Sequence, residues 1–331
     1  MSRNRRRQFL LAAGTLFVAP LAARAQQPER TYRVGLFLGG TETAVARQRK
    51  AIVDRLAAHG FVEGRNLQVD VRIGNFSRLI DRDLARALVA LRTSAILAYS
   101  TALALRTREA TRTIPIIFTG VADPIGSGLV KNFARPGGNA TGVHFFQLEI
   151  GAKRMELLRE LLPSARRVVM AGHGIPDLAE TTPRLRQSAS QFGFELIEIS
   201  TSLIHGFVDT LGVAAKAKPD AVISGEPWAI YGMEDVAQQI IRFASELRIP
   251  SVFWESEMAE LGATLAYGVN LITELGRAAD QLARVLKGAK PAELPVDQAT
   301  TYELVVNRKA ARALGIKIPP SIMLRADRVI E

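Results

Sequence analysis

Arg33-Val-Gly-Leu-Phe-Leu38, followed by Gly39-Gly40 and a helix-patterned stretch from about Ala44 to His59, is the segment on which the fold turns. A short apolar run that gives way to a helix and then to another short apolar run is the unit of a parallel sheet, because parallel strands need a crossover connection. The unit repeats. Leu67 to Ile73 reads as a second strand, with polar residues at alternate positions. Leu79, Ile80, Leu84, Ala87, Leu88 and Leu91 follow in the three-four rhythm of a helix. Ala95–Ala98, a helix from Thr101, and Pro115–Phe118 continue the alternation. This half is expected to form a doubly wound sheet.

The turn cluster Arg135-Pro-Gly-Gly-Asn139 interrupts the pattern, which then resumes. Strands are expected near Arg167–Ala171, Glu195–Ile199, Ala221–Ser224 and Ser251–Trp254, with helices between them. A long amphipathic helix from Leu271 to Lys287 leads to the Pro-bearing segment Lys290–Pro295. A strand at Glu303–Val306 and a short helix ending at Gly315 come last. Two α/β lobes of similar build follow from this order.

Before the first strand lies a different kind of sequence. Arg3, Arg5, Arg6 and Arg7 precede a largely apolar stretch from Phe9 to Ala22, and Ala23-Arg-Ala25 offers small residues where a signal peptidase reads. Met1–Ala25 is therefore expected to be a signal peptide cleaved near Ala25, with the mature protein in the periplasm. Arg6-Arg-Gln-Phe-Leu10 also resembles the twin-arginine export pattern. A membrane anchor is the other reading, but the apolar core is shorter than the ~20 residues a spanning helix needs.

Removing that segment takes away five arginines and no acid, so the formal charge falls from +11 to +6. The remaining excess suits a solvated basic surface or an anionic ligand. No Lys/Arg block interleaved with aromatics points to nucleic acid, and none is expected as a partner. The chain contains no cysteine, which excludes disulfides, thiolate metal sites, a Cys nucleophile and a lipidated Cys anchor.

In such sheets ligands bind outside the carboxyl ends of the strands. The residues just after each apolar run are thus the candidates. The first lobe offers Gly39-Gly-Thr41, Ser100-Thr101 and Thr119, with Asp123-Pro124 shortly beyond. Hydroxyls and free N–H groups at a helix N-terminus suit a carboxylate, although Ser and Thr also cap helices routinely. Asp123 reads either as a partner for a ligand ammonium or as an Asx turn before Pro124. The second lobe offers Gly172-His-Gly174, Glu226-Pro-Trp228 and Trp254-Glu255. The chain's two tryptophans both fall there, as stacking surfaces or as core. His59, His144, His173 and His205 are isolated in sequence, and neither H-E-x-x-H nor G-x-S-x-G occurs. No metal, cofactor or catalytic residue is expected.

Taken together, these residues resemble the periplasmic substrate-binding proteins of ABC transporters, in the family that includes tryptophan- and aromatic-amino-acid-binding members. The likeness runs nearly the whole length. It rests on Gly60-Phe-Val-Glu-Gly-Arg-Asn66, Ile114–Phe118, Asp123-Pro124, Arg135–Asn139 with Thr141-Gly142, and Lys153-Arg154 with Glu156-Leu-Leu158. It continues through Tyr267-Gly268, Arg284–Gly288, Lys290-Pro291, Tyr302–Asn307, Ala313-Leu-Gly315, Pro319-Pro320 and Arg325-Ala-Asp327.

The resemblance implies a type I periplasmic-binding-protein fold, with two doubly wound parallel-sheet lobes joined by a three-segment hinge. Crossings are expected near Val143–Gln147, Tyr267–Leu271 and Lys290–Tyr302. Lobe 1 would comprise residues 30–145 and 269–292, and lobe 2 residues 146–268 and 300–331. It implies capture of a small amino-acid-like or carboxylate ligand and delivery to an ABC transporter permease, by a monomer that is not an enzyme. Thr41, Ser100, Thr101, Thr119 and Asp123 would serve from the first lobe. Glu226, Trp254 and Tyr267 would serve from the second lobe and the hinge. An exported α/β enzyme or a ligand-sensing component using the same cleft is the alternative. A DNA-binding regulator of this fold would need a helix-turn-helix where this chain carries its signal.

Overall fold

Two sheets organise the chain. In the computed structural model, which describes residues 30–74, 77–121, 123–145, 147–173, 181–200, 207–224, 234–299 and 301–331, the first strand β1 is Tyr32–Gly39. It is flanked by α1 (Glu42–Ala58), β2 (Leu67–Gly74), α2 (Arg78–Ala90), β3 (Ala95–Tyr99), α3 (Thr101–Ala110), β4 (Ile116–Val121) and β5 (Ala140–His144). The strand order is β11-β5-β4-β3-β1-β2, where β11 is the two-residue strand Asp297–Gln298, and every pairing is parallel.

Burial explains the sequence pattern of β1. Val34, Leu36 and Leu38 belong to one apolar cluster, which also holds Ile52 and Leu56 of α1, while Phe37 points into the other with Leu88 of α2 and Leu103 of α3. A strand covered by helices on both faces reads as a continuous apolar run rather than an alternating one.

The second sheet has the order β13-β12-β10-β9-β8-β6-β7. Its strands are β6 (Arg167–His173), β7 (Glu195–Ser200), β8 (Ala221–Ser224), β9 (Ser251–Phe253), β10 (Leu265–Gly268), β12 (Glu303–Asn307) and β13 (Arg328–Ile330). Helices α4 (Gln147–Leu161), α5 (Thr181–Gln191), α6 (Phe207–Lys216), α7 (Glu234–Glu246) and the single turn α8 (Glu257–Glu260) lie between the parallel strands. One pairing departs from the expected all-parallel lobe: β12 runs antiparallel to β10. The chain therefore returns along β12 to the edge where β10 began, and β13 then pairs parallel to β12.

The chain passes between the sheets after β5, after β10 and after β11. Between the last two passages runs α9 (Leu271–Leu286), whose buried Leu271, Leu275, Ala278, Ala279 and Leu282 join the cluster of β1, β3 and α1. Arg55 of α1 donates to the Asp280 carboxylate of α9 at 2.6 and 2.9 Å, which fixes the two helices side by side. The Asn270 side chain accepts from the Thr273 N–H at 3.0 Å and caps α9. After α10 (Arg308–Leu314), Gly315 adopts φ +74 as the left-handed C-terminal cap. The short helix α11 (Pro320–Arg325) has proline in its first turn, where the missing N–H has no intrahelical partner to lose.

Gly268, at the end of β10, marks the tightest point between strands. A Cβ there would lie 1.6 Å from the carbonyl oxygen of Trp254. That obstacle is backbone and cannot swing aside. Gly268→Ala is expected to lower stability by about 3 kcal/mol, read as a lower midpoint in chemical denaturation. Gly276→Ala is the internal control: it lies within α9 with nothing inside 4 Å of the added carbon. It is expected to be neutral or stabilising by about 0.5–1 kcal/mol.

Candidate functional site: the carboxyl ends of the strands

In the first sheet β2 lies on one side of β1 and β3 on the other, so the topological switch point falls between β1 and β3. Thr41 follows β1, Ser100 and Thr101 follow β3, and Thr119 lies on β4. The structure brings these hydroxyl residues to one edge of three adjacent strands.

Thr119 is in register with Tyr99, the residue before Ser100. The Ser100 N–H donates to the Thr119 carbonyl at 2.9 Å, and the Ser100 hydroxyl accepts from the Leu103 N–H at 3.4 Å as the cap of α3. Ser100 holds φ +89, a conformation that L residues other than Gly rarely adopt. Backbone strain of this kind costs on the order of 1–3 kcal/mol and is concentrated at functional sites. Ser100, Thr101 and Thr119 are all fully buried. Among the described residues the Thr119 Oγ1 has no hydrogen-bond partner, which is unusual for a buried hydroxyl.

The remaining sequence candidates have different settings. Thr41 caps α1, its Oγ1 accepting from the Ala44 N–H at 3.2 Å. The Asp123 Oδ1 accepts from the Ile125 and Gly126 N–H groups at 3.1 and 2.8 Å, an Asx turn that already engages the carboxylate. Tyr267 is half-buried, its ring centroid 6.3 Å from that of Tyr302, so a ring of β10 meets one from the passage that leads into β12. Trp254 is only 2% exposed and packs in the cluster that holds Tyr99, Leu271 and Leu275. This indole from the second sheet's edge is inserted among residues of the first. Glu226 and Trp228 lie outside the described residues.

Two residues at the second sheet's edge, Arg154 and Ser256, were given no site role in the sequence reading. Arg154, on α4, is 1% exposed, and its Nη1 donates to the Ser224 carbonyl at 3.2 Å and the Ser224 hydroxyl at 3.1 Å. Ser224 ends β8. Ser256 is fully buried after β9, its hydroxyl without a hydrogen-bond partner among the described residues. Glu255 beside it, a candidate from the sequence, is also buried. The signal for Arg154 was present: it occupies an apolar-stripe position of α4, four residues after Ile150 and four before Leu158. A cation in that stripe is a departure from pattern.

No group of three or more His, Cys, Asp or Glu side chains among the described residues is arranged to hold a metal ion. No described helix is long and apolar enough to cross a membrane.

Comparison with known proteins identifies the family and the fold. The family described as ABC transporter substrate binding protein matches residues 41–330, and the chain belongs to that family. The two-lobe α/β architecture is that of type I periplasmic-binding proteins. The chain is 27% identical over 280 residues to a protein named tyrosine-binding protein from Clostridioides difficile, covering 82% of this chain and 77% of that one. It superposes with TM-score 0.83 on a conserved domain protein from Vibrio cholerae, at 27% identity, covering 91% of this chain and 100% of that one. With a Streptococcus pneumoniae ABC domain in complex with L-Trp the TM-score is 0.81, at 25% identity and the same coverage. The family consists of solute-binding proteins that act outside the cytoplasm.

Trp254→Ala removes a large side chain from the cluster shared by the two sheets. It is expected to lower stability by about 3–5 kcal/mol, measured by denaturant unfolding without ligand. A change below about 1 kcal/mol would show that the indole is not packed in this way.

Proposed function

We propose that this protein captures a small amino-acid-like ligand between its two lobes, in the periplasm, and delivers it to an ABC transporter permease. The observation that carries the reading is the fully buried Thr119 hydroxyl, without a hydrogen-bond partner among the described residues, beside strained Ser100 at the N-terminus of α3. A ligand carboxylate placed there would accept from Thr119 and meet the positive end of the helix dipole. Thr41 and Thr101, after β1 and β3, would serve with it from the first lobe. Asp123, Glu226, Trp254 and Tyr267 would complete the pocket from the turn, the second lobe and the hinge.

Aromatic amino acids are the ligand class we favour. A named tyrosine binder and an L-Trp complex are among the relatives, and the family match spans nearly all of the mature chain. Capture needs no chemistry. Closure of two lobes about a hinge would exclude water and strengthen each polar contact. The protein would act as a monomer, without cofactor or nucleic-acid partner. Export would follow from Met1–Ala25, and amino-terminal sequencing of protein recovered from the periplasm is expected to begin at Gln26. Recovery of uncleaved chain in the cytoplasm would overturn the address.

A thermal-shift screen of the mature protein against the common amino acids tests the ligand class. L-Tyr or L-Trp is expected to raise the melting temperature, because a ligand that binds only the folded state must do so. Thr119→Val keeps the shape and removes the donor. It is expected to weaken binding by roughly ten- to a hundredfold, the loss of one hydrogen bond to a charged group. Unchanged affinity in that variant would remove Thr119 from the site.

A further inference from the structure

The first turn of α9 carries a carboxylate where its apolar stripe calls for a hydrophobe. Glu274 falls among Leu271, Leu275 and Ala278 and is 1% exposed. Its Oε2 is buried and, among the described residues, has no hydrogen-bond partner. Arg277, one turn on, brings its Nε to 3.7 Å, beyond hydrogen-bond range, and that nitrogen is likewise buried and unpartnered. The guanidinium is directed elsewhere. Its Nη2 donates to the Gln298 carbonyl at 2.6 Å and stands 2.9 Å from the Asp297 Oδ1.

That arrangement links two passages of the chain. Glu274 and Arg277 lie just after the segment Gly268–Asn270, and Asp297-Gln298 lies just before Ala299–Tyr302. Strand β11 pairs with β5, which leads into the remaining passage. A single guanidinium therefore fastens the helix after one crossing to the strand before the next.

We propose that Glu274 is a proton-linked positioning residue for the hinge: protonated, it leaves Arg277 fastened to β11, and ionised, it draws the guanidinium away and loosens that strand. Two acids compete for one cation. Asp297 holds it now, and a charged Glu274 would both attract Arg277 and repel Asp297. The proposal rests on the reading of these segments as the hinge of a closing cleft, but not on the identity of the ligand.

The electrostatics agree. Burial pushes the Glu274 carboxyl up to about 7, with Arg277 opposing the rise and Asp297 adding to it. The surroundings contribute few other charges. From β5 comes His144, whose Nδ1 lies 3.3 Å from the Val121 carbonyl and whose ring stacks on Phe133 at 5.0 Å. Tyr99 of β3 ends in the apolar cluster that also holds Leu271 and Leu275. The segment Ile116–Val121 of β4 has no titratable side chain. The α1 groups that reach α9, Arg55 and His59, are both engaged by Asp280 further along the helix.

The sign of the effect follows from linkage. A carboxyl whose folded pKa is raised keeps its proton after the unfolded chain has lost one. Stability therefore falls as pH rises from the ordinary carboxylate range through about 7, and is level above that.

Hydrogen exchange on the ligand-free mature protein tests this. Backbone protection of residues 297–302 and 268–272 would be compared at pH 6 and pH 8, after correction for intrinsic exchange, in the parent and in Glu274→Gln. In the parent, protection is expected to fall by about tenfold, the effect of one displaced pKa unit. Glu274→Gln is expected to keep its pH 6 protection at pH 8. Equal losses in the two proteins would overturn the proposal. Asp297→Asn supplies a second check: removing the competing acid is expected to move the midpoint to lower pH, and an unmoved midpoint would also overturn it. Because no ligand is added, failure here is separate from failure of amino-acid binding.

Discussion

Parallel hydrogen bonding on both edges of Tyr32–Gly39 is the constraint on which the rest depends. With β2 on one side and β3 on the other, the strand has no free edge, and its side chains need cover on both faces. Crossover helices supply that cover, and they force every strand of the lobe to end at the same edge. Thr41, Ser100 and Thr119 converge there because of topology, before any side-chain interaction is considered. The second sheet repeats the device around Arg167–His173, with β7 and β8 as its neighbours. Its antiparallel strand β12 then changes the outcome. Running backwards against β10, it sets Glu303 opposite Gly268 and places the Tyr302 ring near Tyr267. A ring of β10 thus meets one from the passage that leads into β12.

The close approach of Gly268 to the Trp254 carbonyl has a related effect. β10 and β9 are adjacent parallel strands, and only a residue without Cβ allows the end of β10 to lie against the backbone that follows β9. Trp254, held by its backbone in this way, buries its indole among residues of the first lobe.

How much of this was legible in the sequence depended on where the determining force lies. Long elements were readable because each carries its own pattern. Leu271 to Lys287 has the stripe of a helix packed on one side, and Arg33–Leu38 has the unbroken apolar run of a central strand. The short strands β11 and β13 were not readable. Two or three residues carry no period, and both exist only because a partner strand presents matching groups. Gly315 was readable as a helix end because a left-handed cap favours one residue type. Asp123 left two readings open because an Asx turn and a ligand contact use the same carboxylate. Trp254 was placed correctly at a strand end, yet whether an indole faces solvent or neighbour is a tertiary question that its own sequence context does not answer.

Arg154 and Glu274 belong to a further category, in which the pattern was visible but its exception went unread. Both are charged residues at stripe positions of helices that are otherwise apolar on that face, and both are 1% exposed. Glu274 lies in the first turn of its helix, and Arg154, at mid-helix, reaches the carboxyl end of β8 at Ser224. The hydroxyls of Thr119 and Ser256, without a hydrogen-bond partner among the described residues, and the strained backbone of Ser100 are found at the same edges. Departures from local rules are one mark of function, although others, such as Thr93, Asn139 and Arg92, lie away from these edges. A lobe that must meet a ligand in one state and water in another cannot have its polar groups fully satisfied by its own chain in both. A ligand at this edge would complete the hydrogen bonding that the described residues leave open there, and the apolar clusters behind it supply stability.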